Sequence, residues 1–295
     1  EKNRLENNLV QYEGQWVPAE DVEKLEQGLF KINDNWVKKE EADRLHSDWE
    51  NPWELTLNKI RLKTNKNYDY AQGMLADANM AYDQIKNMVN VEPDLEDSLI
   101  TVYLLSTMDQ YCAMGDEIGD EQSSSYNVFF VEESPEDGPV SVTYSRSDPR
   151  KGDIPTYVTY TKGLVRHAVI QQYLTRIDER AEIPPWFIVG QAAKFDRFYS
   201  KEYISYYLKE LRRVGGFIKT KQFFDAFGYT EQEIYTAGII CAYLDDKELT
   251  DRIKKPYEKA LESLSTKKKI SFSFSELEKA LSKDEKNIRE FMDKH

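Results

Sequence analysis

The chain has 295 residues, 40% of them apolar and 13% aromatic, with a formal net charge of −13. That length allows two or three domains, each burying its own core, and the composition is that of a soluble globular chain rather than a disordered one. An acidic surface repels phosphate, which argues against nucleic acid as a partner, and no apolar run approaches the ~18–20 residues of a membrane span.

The first fifty residues contain a repeat. "LVQYEGQWVPAEDVEKL" begins at Leu9 and "LFKINDNWVKKEEADRL" at Leu29, so that Leu9 matches Leu29, Trp16 matches Trp36, Val17 matches Val37, Glu20 matches Glu40 and Leu25 matches Leu45. Each copy reads as a short hairpin followed by a helix. "EGQ" and "NDN" supply the turns, and Pro18 suits a helix start. A unit this small buries little by itself, so the two are expected to pack together or onto the next domain. They read as a structural appendage rather than an adaptor.

Residues 51–150 read as a small α+β lobe. "LTLNKIRLKTN" (55–65) suggests a strand with an irregularity near Asn58. In 68–89 the residues Tyr68, Ala71, Leu75, Ala78, Tyr82, Ile85 and Val89 recur at steps of three or four, which predicts one amphipathic helix. "LITVYLLST" reads as a buried strand, and "YNVFFVEE" and "PVSVTYSR" as two more strands around "SPEDG". From Tyr160 the pattern turns helical, over 161–178, 185–198, 201–213, 220–227, 231–245 and 250–263. Thr230 and Glu233 form a capping box for the fifth of these. The tail reads as a brief alternating stretch and then a helix capped by Ser275, with Glu278 three residues on. The expected organisation is therefore repeats in 1–50, an α+β lobe in 51–150, a helical lobe in 151–263 and a tail helix in 264–295. The fold class is α+β, a small mixed-sheet lobe followed by a mainly helical one. Cys112 and Cys241, far apart in sequence, are expected as free buried thiols, with no disulfide scaffold and no cysteine-based metal site.

"GLVRHAVIQQYL" (163–174) has the rhythm of a zinc-protease helix, and "IPPWFIVGQAAKFDRFY" (183–199) comes after it. A helix of that kind places two His at i and i+4 on one face, and the Glu after the first His is the general base. The two motifs, in this order and at this distance, together with the strand-then-helix at 55–85 and the strand pair before the helix, resemble the gluzincin or peptidase-MA-like metallopeptidases. The resemblance is greatest to bacterial members carrying a similar two-Trp repeat, and it covers the chain to about residue 263. In that family the second motif runs roughly Pro-x-Trp-Leu-x-Glu-Gly-x-Ala, and its Glu is the third zinc ligand. Carried over, the resemblance puts His167 at the first ligand, Ala168 at the general base, Gln171 at the second His and Val189 at the ligand Glu, while Pro185, Trp186, Gly190 and Ala192 keep the frame.

One imidazole and one neutral amide hold zinc poorly, and Val has no donor atom. Ala168 takes no proton from a water, and loss of a general base alone typically costs ~10²–10⁴-fold. The expectation is a pseudopeptidase without metal or other cofactor, binding a peptide or protein segment by strand addition at the edge of "YNVFFVEE" or "PVSVTYSR". His167, Gln171, Trp186 and Tyr203 are the candidate cleft residues. The alternatives are an architectural subunit whose cleft is filled by its own side chains, and a divergent metal-dependent hydrolase. The sequence leaves the compartment open; the resemblance implies export, to a secreted or periplasmic location, for many relatives.

Overall fold

Each repeat copy folds as a two-stranded antiparallel hairpin with a short helix behind it. β1 (Leu9–Tyr12) pairs with β2 (Gln15–Pro18), setting Gln11 opposite Trp16, and β3 (Leu29–Ile32) pairs with β4 (Asn35–Lys38), setting Lys31 opposite Trp36. A 3-10 turn leads from β2 into α1 (Val22–Glu26), and α2 (Lys39–Leu45) continues directly from β4. The twenty-residue period extends to the backbone. Asn8 and Gly28, which precede the two hairpins, both have positive φ, 54° and 73°, a region open to Gly and tolerated by Asn. The computed structural model describes residues 8–12, 15–33, 35–93, 99–117, 128–134, 137–145, 155–177, 180, 182–196 and 202–295. Most of the "EGQ" turn lies outside them.

The second copy is tied firmly to the adjacent lobe. Asp43 of α2 accepts the Trp53 indole N–H at 3.0 Å and the Tyr68 backbone N–H at 2.7 Å on the same oxygen. Phe30 meets the Trp53 and Tyr68 rings edge-on, and the His46 ring lies 4.0 Å from Trp53. A carboxylate at a helix start that also satisfies a buried indole does two jobs at once. The copies are linked to each other by the Lys31–Asp21 ion pair at 3.2 Å.

The chain is α+β, and it divides into two compact units, one of Glu1–Asn79 with Ser98–Thr161 and one of Met80–Asp97 with Lys162–His295. In the first, a five-stranded sheet has the order β5-β6-β7-β9-β8. The expected single strand over 55–65 is instead a hairpin, β5 (Trp53–Leu57) and β6 (Ile60–Thr64), because Asn58 takes a left-handed φ of 54° and reverses the chain. α3 (Tyr68–Val89) then carries the chain to β7 (Ile100–Leu105), which runs parallel to β6. Every β7 side chain is buried, as a central strand requires. α4 (Met108–Glu117) packs Tyr111 with Tyr103, Leu105, Val140, Val142 and Tyr144.

β9 (Gly138–Tyr144) pairs with β7 on one side and with β8 (Val128–Ser134) on the other. "PVSVTYSR" is therefore interior, and of the two strands expected as the edge only β8 is one. The turn between them is pinned to the sheet by Asp137, whose side chain is 3% exposed and meets Arg61 at 2.6 Å and Lys63 at 2.7 Å. The Tyr103 hydroxyl donates to the same carboxylate at 2.5 Å. Burial alone would raise the Asp137 carboxyl, but hydrogen bonds from Lys63 and Tyr103 and the charges of Lys63 and Arg61 outweigh it and hold the group below the ordinary aspartate range.

The second unit is helical: α5 (Pro155–Ile177, whose first residues belong to the other unit), α6 (Pro185–Asp196), α7 (Glu202–Val214), α8 (Thr220–Asp225), α9 (Glu231–Leu244), α10 (Asp251–Thr266), α11 (Ile270–Ser282) and α12 (Glu285–Asp293). The capping box expected at Thr230 and Glu233 is present. The tail differs from expectation. α11 begins at Ile270, so Ser275 lies inside it and caps nothing. The alternation in "SFSFS" gives way to helical spacing, with Phe272 turned outward and Phe274, Leu277 and Leu281 buried. Both cysteines are free; Cys241 is buried and Cys112 half-buried. Among the described residues no helix is long and apolar enough to cross a membrane.

Candidate functional site

α5 is buried on nearly every side. Val165, Ala168, Val169, Ile170, Gln172, Tyr173 and Leu174 are all fully enclosed. Long apolar side chains at every step of the turn suit a helix surrounded by its neighbours. Over 164–177 the residues with partial exposure are Arg166, His167, Gln171, Thr175 and Arg176. His167, Gln171 and Thr175 succeed one another at steps of four, one above another along one face. The side of α5 that remains partly open is therefore the one that carries the first and second ligand positions of the gluzincin pattern.

The residues at the four carried-over positions can be tested against zinc. His167 is half-buried and offers an imidazole, and Gln171 offers an amide. Ala168 is 0% exposed and Val189 6% exposed, both in the apolar core. A divalent zinc site needs three protein donors in tetrahedral arrangement with nitrogen, sulfur or carboxylate character. These residues supply one such donor and one weak one, so the set does not fit the ion. Among the described residues no three His, Cys, Asp or Glu side chains are grouped as a metal site would need. The nearby Glu182 carboxylate is occupied, 3.4 Å from Arg180 and accepting from the Ser271 backbone N–H.

Gln171 also carries a buried polar atom. Its amide oxygen is buried and has no hydrogen-bond partner among the described residues. Buried acceptors are ordinarily satisfied, and the exceptions call for a cause.

Trp186, expected on the wall of a cleft, is 2% exposed and belongs to the core of the helical unit. Its indole N–H donates to Glu278 Oε1 at 2.7 Å, and its ring packs against Phe187, Phe223 and Phe224. That position corrects the sequence expectation: the ring is enclosed by α8 and α11 and offers no surface to a bound segment. Burial pushes the Glu278 carboxyl up, opposed in part by the Trp186 hydrogen bond. Nothing local in the sequence joins residues 186 and 278. Tyr203 lies in α7, but its side chain is outside the described residues. From the same Tyr-rich stretch, the Tyr207 hydroxyl donates to the Ala193 carbonyl at 2.7 Å, and the rings of Tyr206 and Tyr207 pack with Tyr235. Those two serve packing between α7, α6 and α9.

Gly190, which the gluzincin pattern places beside the ligand Glu, has a steric role here. A Cβ at this position would stand 2.5 Å from Cys241 Sγ and 2.7 Å from the Ala237 carbonyl oxygen, so glycine lets α6 and α9 touch. The framing residues Trp186 and Gly190 are thus explained by helix packing alone. Burial also pushes the Cys241 thiol up, which leaves it a packing group rather than a nucleophile. No protein-family model matches this chain, and no curated protein matches it either.

Proposed function

We propose that this protein is a catalytically inactive relative of the gluzincin metallopeptidases that binds a peptide or protein segment. The observation that carries the reading is the open face of α5. The residues at the carried-over ligand positions, His167 and Gln171, keep partial exposure, as do Arg166, Thr175 and Arg176, while the other residues of 164–177 are buried. The chemistry of the four positions supports inactivity: the general-base position is alanine, the carboxylate-ligand position is valine, and neither can hold an ion or a proton.

In the sheet unit taken by itself, strand addition at β8 is the mode of binding this reading favours. β8 pairs with β9 on one side and has no strand on the other among the described residues. Such an edge offers a row of main-chain donors and acceptors to an extended segment. A purely architectural role is the second reading, and the burial of Val189 and Trp186 favours it.

The two are separated by selecting a random peptide library displayed on phage against the full chain. The selected synthetic peptides are then followed by mass spectrometry and by hydrogen exchange of the protein. The binding reading expects peptides that bind, stay intact on prolonged incubation and slow exchange at residues 128–134. Failure to select any peptide supports the architectural role, and cleavage of the peptides overturns the inactive assignment.

A further inference from the structure

The connection between α10 and α11 departs from the rest of the chain in charge and in backbone conformation. The protein has a formal net charge of −13, yet Lys267, Lys268 and Lys269 stand together here, all three exposed. Among the described residues seven non-glycine residues have positive φ, and four of them are Asn, which tolerates that region. Lys267 (φ 51°) and Lys269 (φ 53°) are two of the other three. Lys267 stands at the end of α10, where a cation suits the helix dipole. Lys269 has no such local reason. It stands at the start of α11, where the dipole disfavours a cation, and its side chain makes no capping hydrogen bond. A residue that breaks several local rules at once points to a site selected for something besides folding.

The turn is held in place. The Lys267 and Lys268 backbone N–H groups donate to the Leu264 and Ser263 carbonyls, each at 3.3 Å, and Arg180 donates to the Lys267 carbonyl at 2.9 Å. α10 and α11 pack against each other, so the three lysines form the convex tip of a helical hairpin. Just beyond it Phe272 is 55% exposed, with the Lys259 ammonium 5.4 Å over its ring.

We propose that this tip, made of Lys267, Lys268, Lys269 and Phe272, is a contact surface for a membrane leaflet containing anionic lipid. The contact is peripheral and needs nothing from the peptide-binding reading. A convex tip suits a flat surface. Lysines attract headgroups as mobile point charges, whereas bidentate recognition of carboxylates on a protein partner favours arginine. An exposed ring beside them finds an apolar environment at the boundary between headgroups and acyl chains. The acidic remainder of the protein does not cancel the attraction. The potential of a charged leaflet falls off within a Debye length of about 8–10 Å, so it acts on the charges nearest to it.

Sedimentation of the full chain with phosphatidylcholine vesicles, and with vesicles of equal phosphatidylcholine and phosphatidylserine, tests this. Three variants accompany the parent. The first is Lys267→Asn with Lys268→Gln and Lys269→Asn, and the second is Phe272→Ser. The third is a control, Lys247→Gln with Lys254→Gln and Lys255→Gln, which changes exposed lysines before and early in α10. The parent is expected to bind the mixed vesicles, to leave phosphatidylcholine alone, and to be released at about 1 M salt, where the Debye length is about 3 Å. Each lysine near an anionic surface strengthens binding about fivefold, so the triple tip variant should bind about a hundredfold more weakly. Phe272→Ser should bind roughly three- to tenfold more weakly. The control makes the same change in net charge and should bind as the parent does. Asn suits the left-handed backbone, so the tip variant should unfold no lower than the parent, which separates loss of binding from loss of fold.

No binding of the parent to the mixed vesicles overturns the proposal. So does an equal loss in the control and the tip variant, which would reduce the effect to overall charge. Binding of polyglutamate through the three lysines, with none to the vesicles, overturns it in favour of an acidic protein partner.

Discussion

Trp186 and Glu278 form a hydrogen bond between residues 92 apart, and its energetics depend on pH in a defined direction. Burial raises the Glu278 carboxyl above the ordinary glutamate value of about 4.3. Between that value and the raised one, the folded protein holds a proton that the unfolded chain has released. The stability contributed by this group is therefore full at acid pH and is lost as pH rises through the raised value. At neutral pH a buried charge remains, with the Trp186 indole N–H donating to it. Glu278→Gln keeps the acceptor and removes the charge. It should leave the unfolding temperature unchanged near pH 4 and raise it near pH 7, a crossover that thermal melts at the two pH values would reveal. An equal effect at both would mean that Glu278 is as well solvated in the folded chain as in the unfolded one. Ala168 and Val189 are a simpler residue-scale case: under the proposed gluzincin reading, their side chains offer neither a general base nor a ligand atom.

Among the described residues, helices α6 and α9 make the most extensive contact in the helical unit, and Gly190 lies in it. Gly190→Ala gains up to about 1 kcal/mol in helix propensity. It also forces a methyl against a backbone carbonyl that cannot turn away. Overpacking of this kind costs roughly 1–3 kcal/mol, so a net loss of stability is expected in urea unfolding. Adding Cys241→Ala should recover only part of that loss, because it removes the sulfur and leaves the Ala237 oxygen in place. Full recovery would place the whole constraint on the thiol. Legibility at this scale tracks the strength of local pattern. α3 is readable from end to end because seven residues keep a helical period over its whole length. The 55–65 hairpin is not, since a left-handed Asn looks the same in sequence as an Asn in a bulge. The start of α11 is hidden because two phenylalanines at i and i+2 mimic a strand until tertiary packing selects one of them. The stripe of α5 is visible as a stripe, but whether it faces core or solvent depends on the elements packed around it. The Gln171 acceptor and the Trp186–Glu278 bond are long-range facts with no local signature.

At the level of the whole molecule, the reading proposed above is a peptidase scaffold without metal chemistry, with a partly exposed face on α5. Repeat, sheet and helices are each foreshadowed by composition and period, whereas the pairing order that leaves β8 at the edge requires the assembled sheet. Loss of metal chemistry is open to a direct check: zinc titration of the full chain beside its His167→Ala variant, then a peptidase assay of both. The expected result is no zinc bound tighter than about 1 μM (−8.2 kcal/mol) at this position, the same isotherm for the variant and no peptide cleavage by either. One zinc per chain held at nanomolar affinity, lost on replacing His167 and accompanied by cleavage, would contradict it.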